Sequence, residues 1–262
     1  KAQLILHTAF TGADSCEVQT LENIVNINQI IEAQGINENC QIDSHLTITG
    51  LEIKPRFDLA GNKNLLDISA TLNLSAYCYE NKNLTVVKDA YSVKYETDAK
   101  KSVVYLASLS DKIDDTFLCR GVADLSNTGV SKVLSFTCPD ISSQFTIFED
   151  SVCINGDVLA EIIYEDSKGE ICFVQKNIPY EYKKTVDNQG TILTCRPHCT
   201  ISARSFIIVD SNTLDARMEI NVSGFVFSEN EKLIITDLTV NKDKPKTVKT
   251  ASLTVYFSEK GE

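Results

Sequence analysis

The sequence predicts an all-β protein of two tandem, homologous antiparallel modules that are β-sandwich or barrel-like. Three observations support this prediction: apolar and polar residues alternate with a period of two, helical periodicity is weak, and one alternating segment occurs twice. Strict alternation is typical of a strand with one buried and one solvent-facing side, as in antiparallel sheets. At 262 residues the chain is long enough for two ordinary domains.

The segment that occurs twice reads LLDISATLNLSA at residues 65–76 and TLDARMEINVSG at residues 213–224. Residues that match in type and spacing are Leu66 with Leu214, Asp67 with Asp215, Asn73 with Asn221, and Ser75 with Ser223. The pattern assigns to the apolar sides Leu66, Ile68, Ala70, Leu72, Leu74, Ala76 and Cys78 in the first copy, and Leu214, Ala216, Met218, Ile220, Val222 and Gly224 in the second. We therefore expect the same half-buried strand in two copies of one β module.

The repeat extends beyond this strand, because most of residues 1–98 can be aligned with residues 159–245. Residues 103–158 have no counterpart upstream, so the first module is expected to lack its front half. We expect that its incomplete sheet either packs on the second module or pairs its open edge with another chain.

The expected module boundaries follow from this alignment. The first module covers residues 1–100 and the second residues 101–247, and they meet in the charged segment TDAKKSV near residues 98–105. Residues 248–262 are expected to form a linker.

Two segments are ambiguous in secondary structure. Residues 151–182 predict three strands with breaks at Asn155-Gly156 and at residues 166–169, or a bulge at Asn155-Gly156 within one longer strand. The best helix candidate is TLENIVNINQIIEAQG, but its repeat counterpart contains Pro179 and tyrosines, so we predict a strand followed by a loop in both.

Composition excludes several partner classes. The chain has 25 Lys and Arg against 36 Asp and Glu, a net charge of −11, and no concentrated basic stripe, so nucleic acid is not expected as a partner. No apolar run approaches the roughly 20 residues that a membrane helix needs, so no membrane span is expected.

The nine cysteines allow two interpretations. Free thiols in a reducing compartment are the simpler one, because a chain of this size does not need disulfides for stability. The alternative is a pair of repeat-equivalent bridges, Cys16–Cys40 and Cys172–Cys195. The segment CRPHC, with Cys195, His198 and Cys199, resembles a zinc ligand set, but an extended strand would hold its two cysteines about 13 Å apart. No metal and no cofactor are therefore expected.

No catalytic motif is present. The sequence lacks G-x-S-x-G, H-E-x-x-H and a Gly-rich phosphate loop. Acidic pairs such as Glu165-Asp166 and Asp114-Asp115 are the only features that suggest a glycosidase, and adjacent carboxylates in turns are usually solvated loop charges. We therefore expect a protein that is not an enzyme.

Aromatic residues follow the polar side of each repeated strand near its end: Tyr77 and Tyr79 in the first copy, Phe225 and Phe227 in the second. Exposed aromatics on a sheet would form a docking surface for a protein or a sugar chain. The alternative, which we favour, is that a loop or the neighbouring module covers this side.

The segments VLAEIIYEDSKGEICFVQKNIPYEY, KDAYSVKYE and SLTVYFSEKGE resemble the tandem SPOCS domains of sporulation proteins of the SipL type, in which a C-terminal LysM module follows. The final TVYFSEKGE resembles the strand that opens a LysM domain, so the LysM body is expected to be missing here. Peptidoglycan would then be bound only through that missing module.

The resemblance implies a non-enzymatic structural or protein-interaction role in assembly of the spore coat or envelope. It implies other spore-coat proteins as partners, including the basement-layer coat ATPase. The implied location is the mother-cell cytoplasm at the forespore surface. The alternative is an exported cell-wall or carbohydrate-associated binding module of a LysM protein.

Overall fold

The computed structural model describes residues 2–12, 18–30, 32, 36–62, 64–80, 83, 85–91, 93–125, 129–186 and 190–240. All regular secondary structure in these ranges is β-strand, which confirms the predicted all-β class. The strands are β1 Ala2–Thr11, β2 Val18–Ile27, β3 Gln41–Arg56, β4 Leu65–Tyr79, β5 Thr97–Asp124, β6 Val130–Ile141, β7 Gln144–Ile147, β8 Ser151–Asp166, β9 Ile171–Thr185, β10 Thr191–Asp210 and β11 Thr213–Val240.

The described strands form open sheets with antiparallel pairing. β1 pairs with β2 and β3 with β4 in two-stranded sheets, while β11 lies between β10 and β5 in a three-stranded sheet. In the fourth sheet β8 pairs with β6, β7 and β9. None of these sheets closes into a barrel, so the sandwich-like form of the predicted fold is the one that the structure supports.

The strand pairs follow one another in the same order in both halves of the chain. β1–β2 and then β3–β4 precede β5, and β8–β9 and then β10–β11 follow β7. This is the order that a duplicated module would give. The homology of the two halves and the module boundaries stay predictions.

Contacts divide the chain into two compact units. Unit 1 comprises Lys1–Asn81 and Leu109–Ser228, and unit 2 comprises Lys82–Ser108 and Glu229–Glu262. β5 runs without a break through residues 98–105, where the sequence analysis places the module boundary. Within unit 2 the first part of β5 lies beside the last part of β11, for example through the Ser102 and Thr236 hydroxyls, which are 3.2 Å apart. The expected linker 248–262 lies outside the described residues.

The apolar side predicted for the second copy of the repeated strand is confirmed. The five apolar side chains on that side of β11 are almost completely buried: Leu214, Ala216, Met218, Ile220 and Val222. The polar side of the same strand is only partly covered, and there Asp215 accepts hydrogen bonds from Arg120 and Arg217. The apolar side of β11 from residue 214 to residue 222 therefore belongs to the core of unit 1.

The equivalent strand β4 is buried much less than predicted. Ile68, Ala70, Leu72 and Leu74 are half-buried, while Leu66, Ala76 and Cys78 are exposed. No residue of β1–β4 falls below the exposure typical of a protein core. The expectation of a fully buried face in the first copy is therefore wrong, because a two-stranded sheet has no second layer of its own to cover that face.

The predicted break at Asn155-Gly156 is also wrong. β8 is continuous from Ser151 to Asp166, and its register against β9 passes through Gly156 without a shift, so no bulge occurs there either. Glycine is required for a different reason: a Cβ at this position would collide with the carbonyl oxygen of Ser142, where β6 ends before β7 begins. The predicted strand in residues 20–35 is confirmed as part of β2.

Matched core truncations in the two copies of the repeated strand should differ in cost. Ile220 and Leu72 occupy equivalent positions, but only Ile220 is fully buried. Ile220→Ala should lower the free energy of unfolding by about 2–5 kcal/mol, and Leu72→Ala by about 1 kcal/mol or less. Denaturant unfolding of both variants measures the difference; equal losses would contradict the burial described here.

Candidate functional site

The β3–β4 hairpin has two chemically different faces. Cross-strand neighbours on one face are apolar: Leu46 with Leu74, Ile48 with Leu72, Leu51 with Ala70, and Ile53 with Ile68. A register shift between Ile48 and Gly50 inserts one extra residue, and this bulge keeps Ile48 and Leu51 on the same face although they are three positions apart. We call these eight residues the apolar face of the hairpin.

Much of the apolar face is open to solvent. Ile48, Leu51 and Ile53 are 56%, 57% and 53% exposed, respectively. A monomeric protein rarely leaves adjacent large apolar side chains this exposed unless they form a binding site. The sequence predicted instead that this apolar side is buried, and for the side bearing the tyrosines it favoured cover by a loop or the neighbouring module.

The polar face of the same hairpin carries Asp43, His45, Tyr77 and Tyr79, and it lies against β10 and β11. The Tyr79 ring packs edge-on against the rings of Phe225 and Phe227, with centroids 5.3 and 5.0 Å apart. Partial burial raises the pKa of Tyr79, and the neighbouring Arg196 opposes this shift.

The four aromatic residues predicted as a partner surface are therefore brought together, but they are not equally accessible. Phe225 is only 2% exposed, whereas Phe227 and Tyr79 are half-buried and Tyr77 is 47% exposed. Arg196 lies over the Tyr77 ring at 5.1 Å from its centroid and donates a hydrogen bond to the Tyr79 hydroxyl at 3.2 Å. Only Tyr77 offers an open aromatic edge, and its role in binding stays a prediction.

A histidine pair that the sequence pattern did not predict joins β3 to β10. His45 Nδ1 and His198 Nε2 are 2.8 Å apart, and the ring centroids are 3.8 Å apart. Burial lowers the pKa of His198, and the neighbouring His45 lowers it further. The repeat alignment contained the signal, because it places the two histidines at adjacent positions of the duplicated segment.

The third histidine joins β1 to β10. The His7 Nε2 atom contacts the Arg204 guanidinium, and its Nδ1 atom lies 3.5 Å from a Glu22 carboxylate oxygen. Burial and the positive charge of Arg204 lower the pKa of His7, and Glu22 opposes them. Arg204 also donates a hydrogen bond from Nε to the Phe136 carbonyl oxygen at 3.0 Å, so its guanidinium is fixed from both sides.

The CRPHC segment has no metal-site geometry. Its His198 ring faces His45, and both of its cysteines are buried. Within the described ranges there is no group of three or more His, Cys, Asp or Glu side chains that could hold a metal ion.

The cysteines of the proposed bridges are free where the structure describes them. Cys40, Cys172 and Cys195 each carry a free thiol, and Cys16 lies outside the described residues. Burial raises the pKa of Cys195 to about 12 and that of Cys138 to about 11. These thiols are therefore poor nucleophiles and poor metal ligands at neutral pH.

The acidic pairs are engaged in local structure. Asp115 accepts hydrogen bonds from the Tyr182 hydroxyl and from Lys184, and the Tyr182 bond contributes most to lowering its pKa. Asp114 forms a separate ion pair with Lys112 at 2.8 Å. The buried Asp166 accepts bonds from the backbone N–H groups of the β8–β9 turn. These contacts give the carboxylates structural roles.

Comparison with protein-family models, with curated proteins and with solved structures finds no match to this chain. In the described part of the chain, no helix is long and apolar enough to span a bilayer.

The aromatic residues should differ in their contribution to stability. Phe225→Ala should lower the free energy of unfolding by about 3–5 kcal/mol, because it empties a buried ring site. Tyr77→Ala should cost about 1 kcal/mol or less, because that ring is half exposed. Thermal and denaturant unfolding measure both; a small effect at Phe225 would place its ring outside the core.

Thiol reactivity should follow burial. At about pH 8 the exposed Cys78 should react with a disulfide reagent, and Cys195 should react only after the protein unfolds. Mass spectrometry of the labelled peptides with and without denaturant identifies each site. Rapid labelling of Cys195 in the native protein would contradict its burial.

Proposed function

We propose that this chain is a non-enzymatic structural module that binds other proteins in the spore coat or envelope. The observation that supports the proposal is the exposed apolar face of the β3–β4 hairpin. Full burial of a side chain such as Ile or Leu contributes about 1.5–3 kcal/mol, so covering Ile48, Leu51 and Ile53 would drive association. The setting comes from the resemblance to SPOCS-domain sporulation proteins.

The form of the hairpin suits a protein partner. Its apolar face is broad and lies on a two-stranded sheet, so a partner can cover the face and can also pair with a free strand edge. A flat apolar surface rimmed by polar residues is typical of protein interfaces, whereas small molecules bind in concave pockets. One described cavity of about 460 Å³ is an open and mainly polar groove lined in part by Ser142, Asn155 and Glu181.

The partners proposed are other spore-coat proteins, including the basement-layer coat ATPase, and the proposed location is the forespore surface in the mother-cell cytoplasm. Both proposals rest on the resemblance. Nothing in them requires a cofactor or a metal ion.

The proposal is tested by binding of the purified full chain to the purified coat ATPase and to solubilised coat proteins. The double variant Leu51→Ser/Ile53→Ser should weaken binding by about tenfold or more, because it removes two exposed contact side chains without emptying the core. The matched control Glu52→Ser/Lys54→Ser alters the opposite face of the same strand and should change binding by about twofold at most.

Circular dichroism and melting temperature establish that both variants stay folded. Equal binding of the double variant and the unaltered protein, or no binding of the unaltered protein to any coat component, would contradict the proposal.

A second candidate function is binding of a cell-wall carbohydrate, and the observation that favours it is Tyr77. This ring is 47% exposed and is held by Arg196, an arrangement that suits stacking against a sugar. Retention on purified peptidoglycan separates the two functions. Peptidoglycan binding that Tyr77→Ala abolishes and Leu51→Ser/Ile53→Ser leaves intact would favour the second.

A further inference from the structure

All three histidines of this chain lie where the two N-terminal hairpins contact β10. His7 of β1 contacts Arg204, and His45 of β3 contacts His198, so each hairpin has a histidine contact with the same strand. Since no described residue of either hairpin is completely buried, these contacts help to hold the hairpins to β10, together with the bond from Arg196 to Tyr79 and the ion pair of Arg204 with Glu22.

The His45–His198 contact limits the number of protons that the pair can hold. At 2.8 Å between Nδ1 and Nε2, one nitrogen must donate and the other must accept. If both rings are protonated, two N–H groups point at each other and two positive charges meet at short range. The contact therefore breaks when the second ring takes up a proton.

The His7–Arg204 contact also requires a histidine nitrogen that carries no proton. A guanidinium nitrogen can only donate a hydrogen bond, so His7 Nε2 must be the acceptor and must carry no proton. The proton of the neutral ring is then on Nδ1, which faces Glu22. Protonation of Nε2 would place an N–H group and a positive charge directly against Arg204.

We propose that β10 holds the β1–β2 and β3–β4 hairpins through contacts that require uncharged imidazoles, so that mild acidification releases both hairpins while the sheets formed by β5–β11 stay folded. This is independent of the proposed function, although release would reposition the apolar face of the β3–β4 hairpin. Docking of the two hairpins on β10 is therefore pH-dependent.

The charged groups around the histidines do not remove the dependence of docking on pH. His7 faces Glu22 from β2 and Arg204 from β10, and burial together with Arg204 outweighs Glu22 and lowers its pKa. His198 faces His45 and Asp43, both from β3, and burial together with His45 outweighs Asp43 in the same direction.

The direction of the pH effect follows from proton linkage. The docked state binds fewer protons than the released state, so docking is fully stable above the ordinary histidine pKa of about 6.5 and weakens as the pH falls below it. Asp115 and Asp215, which form hydrogen bonds and ion pairs within unit 1, have lowered pKa values and stay charged in this range. Release should therefore precede acid unfolding of the core.

Each histidine that must stay neutral raises the ratio of released to docked protein by up to about tenfold at about pH 5.5, one unit below the ordinary pKa. His7 and one member of the histidine pair together give up to about a hundredfold. A change of this size is readily measured by hydrogen exchange.

Hydrogen–deuterium exchange of the full chain at about pH 7 and about pH 5.5, with labelling times scaled for the intrinsic pH dependence, tests the proposal. The amides of β1–β4 should lose protection at the lower pH, and those of β8 and β9 should keep it. In the variant His7→Gln/His45→Gln/His198→Gln the protection of β1–β4 should be the same at both pH values. The control variant Glu52→Gln, an exposed change on the strand that carries His45, should behave like the unaltered protein.

Unchanged protection of the hairpins at the lower pH would overturn the proposal, and so would an equal loss in the triple variant. If glutamine fails to hold the hairpins at about pH 7, NMR titration of the three imidazoles in the unaltered protein decides. Midpoints of His7 and His198 below the ordinary value support the proposal, and ordinary midpoints at all three histidines overturn it.

Discussion

The fold of unit 1 depends on one constraint: the apolar side of β11 must be covered from residue 214 to residue 222. Five successive inward positions of this strand, from Leu214 to Val222, are almost completely buried. Since neighbouring side chains of a strand point to opposite faces, a shift of one residue would expose all five at once. This requirement fixes the register of β11 and with it the positions of the polar residues on its outer side.

The N-terminal hairpins show what the same sequence pattern does without that cover. β4 carries the alternation of β11, yet its apolar positions are at most half-buried. The polar face of the β3–β4 hairpin, which bears His45 and Tyr79, is the one that contacts the better-packed part of unit 1. The same alternating pattern thus forms a core strand in β11, the second copy, and a largely exposed strand in β4, the first copy.

The sequence predicted the features that depend on local alternation. The all-β class and the buried side of β11 follow from the period of two, the strand in residues 20–35 follows from its repeat counterpart, and all are found. It failed where the outcome depends on residues distant along the chain. The alternation of β4 does not show whether a second layer covers that strand. The Asn155-Gly156 pair predicts a turn, but the glycine is needed there because a side chain would collide with the Ser142 carbonyl oxygen.

The candidate site was predictable only in part, for the same reason. The tyrosines and phenylalanines were identified as a set from the repeat, but burial of Phe225 depends on packing between distant strands. His45 and His198 are separated by 153 positions in the sequence, and His7 and Arg204 by 197. No local pattern therefore predicts these contacts.

The bulge in β3 determines which changes in chain length this strand can tolerate. Thr49 is the surplus residue between Ile48 and Gly50, and the partner positions Leu72 and Thr71 are consecutive. Removing Thr49 alone would restore an ordinary ladder and leave every other side chain of the hairpin on its present side. Deletion of a single residue elsewhere in β3 would exchange the two faces of the strand beyond that point. Apolar side chains would then lie on the polar face, and charged side chains on the apolar face. Length variation in β3 is therefore expected to be confined to this one position.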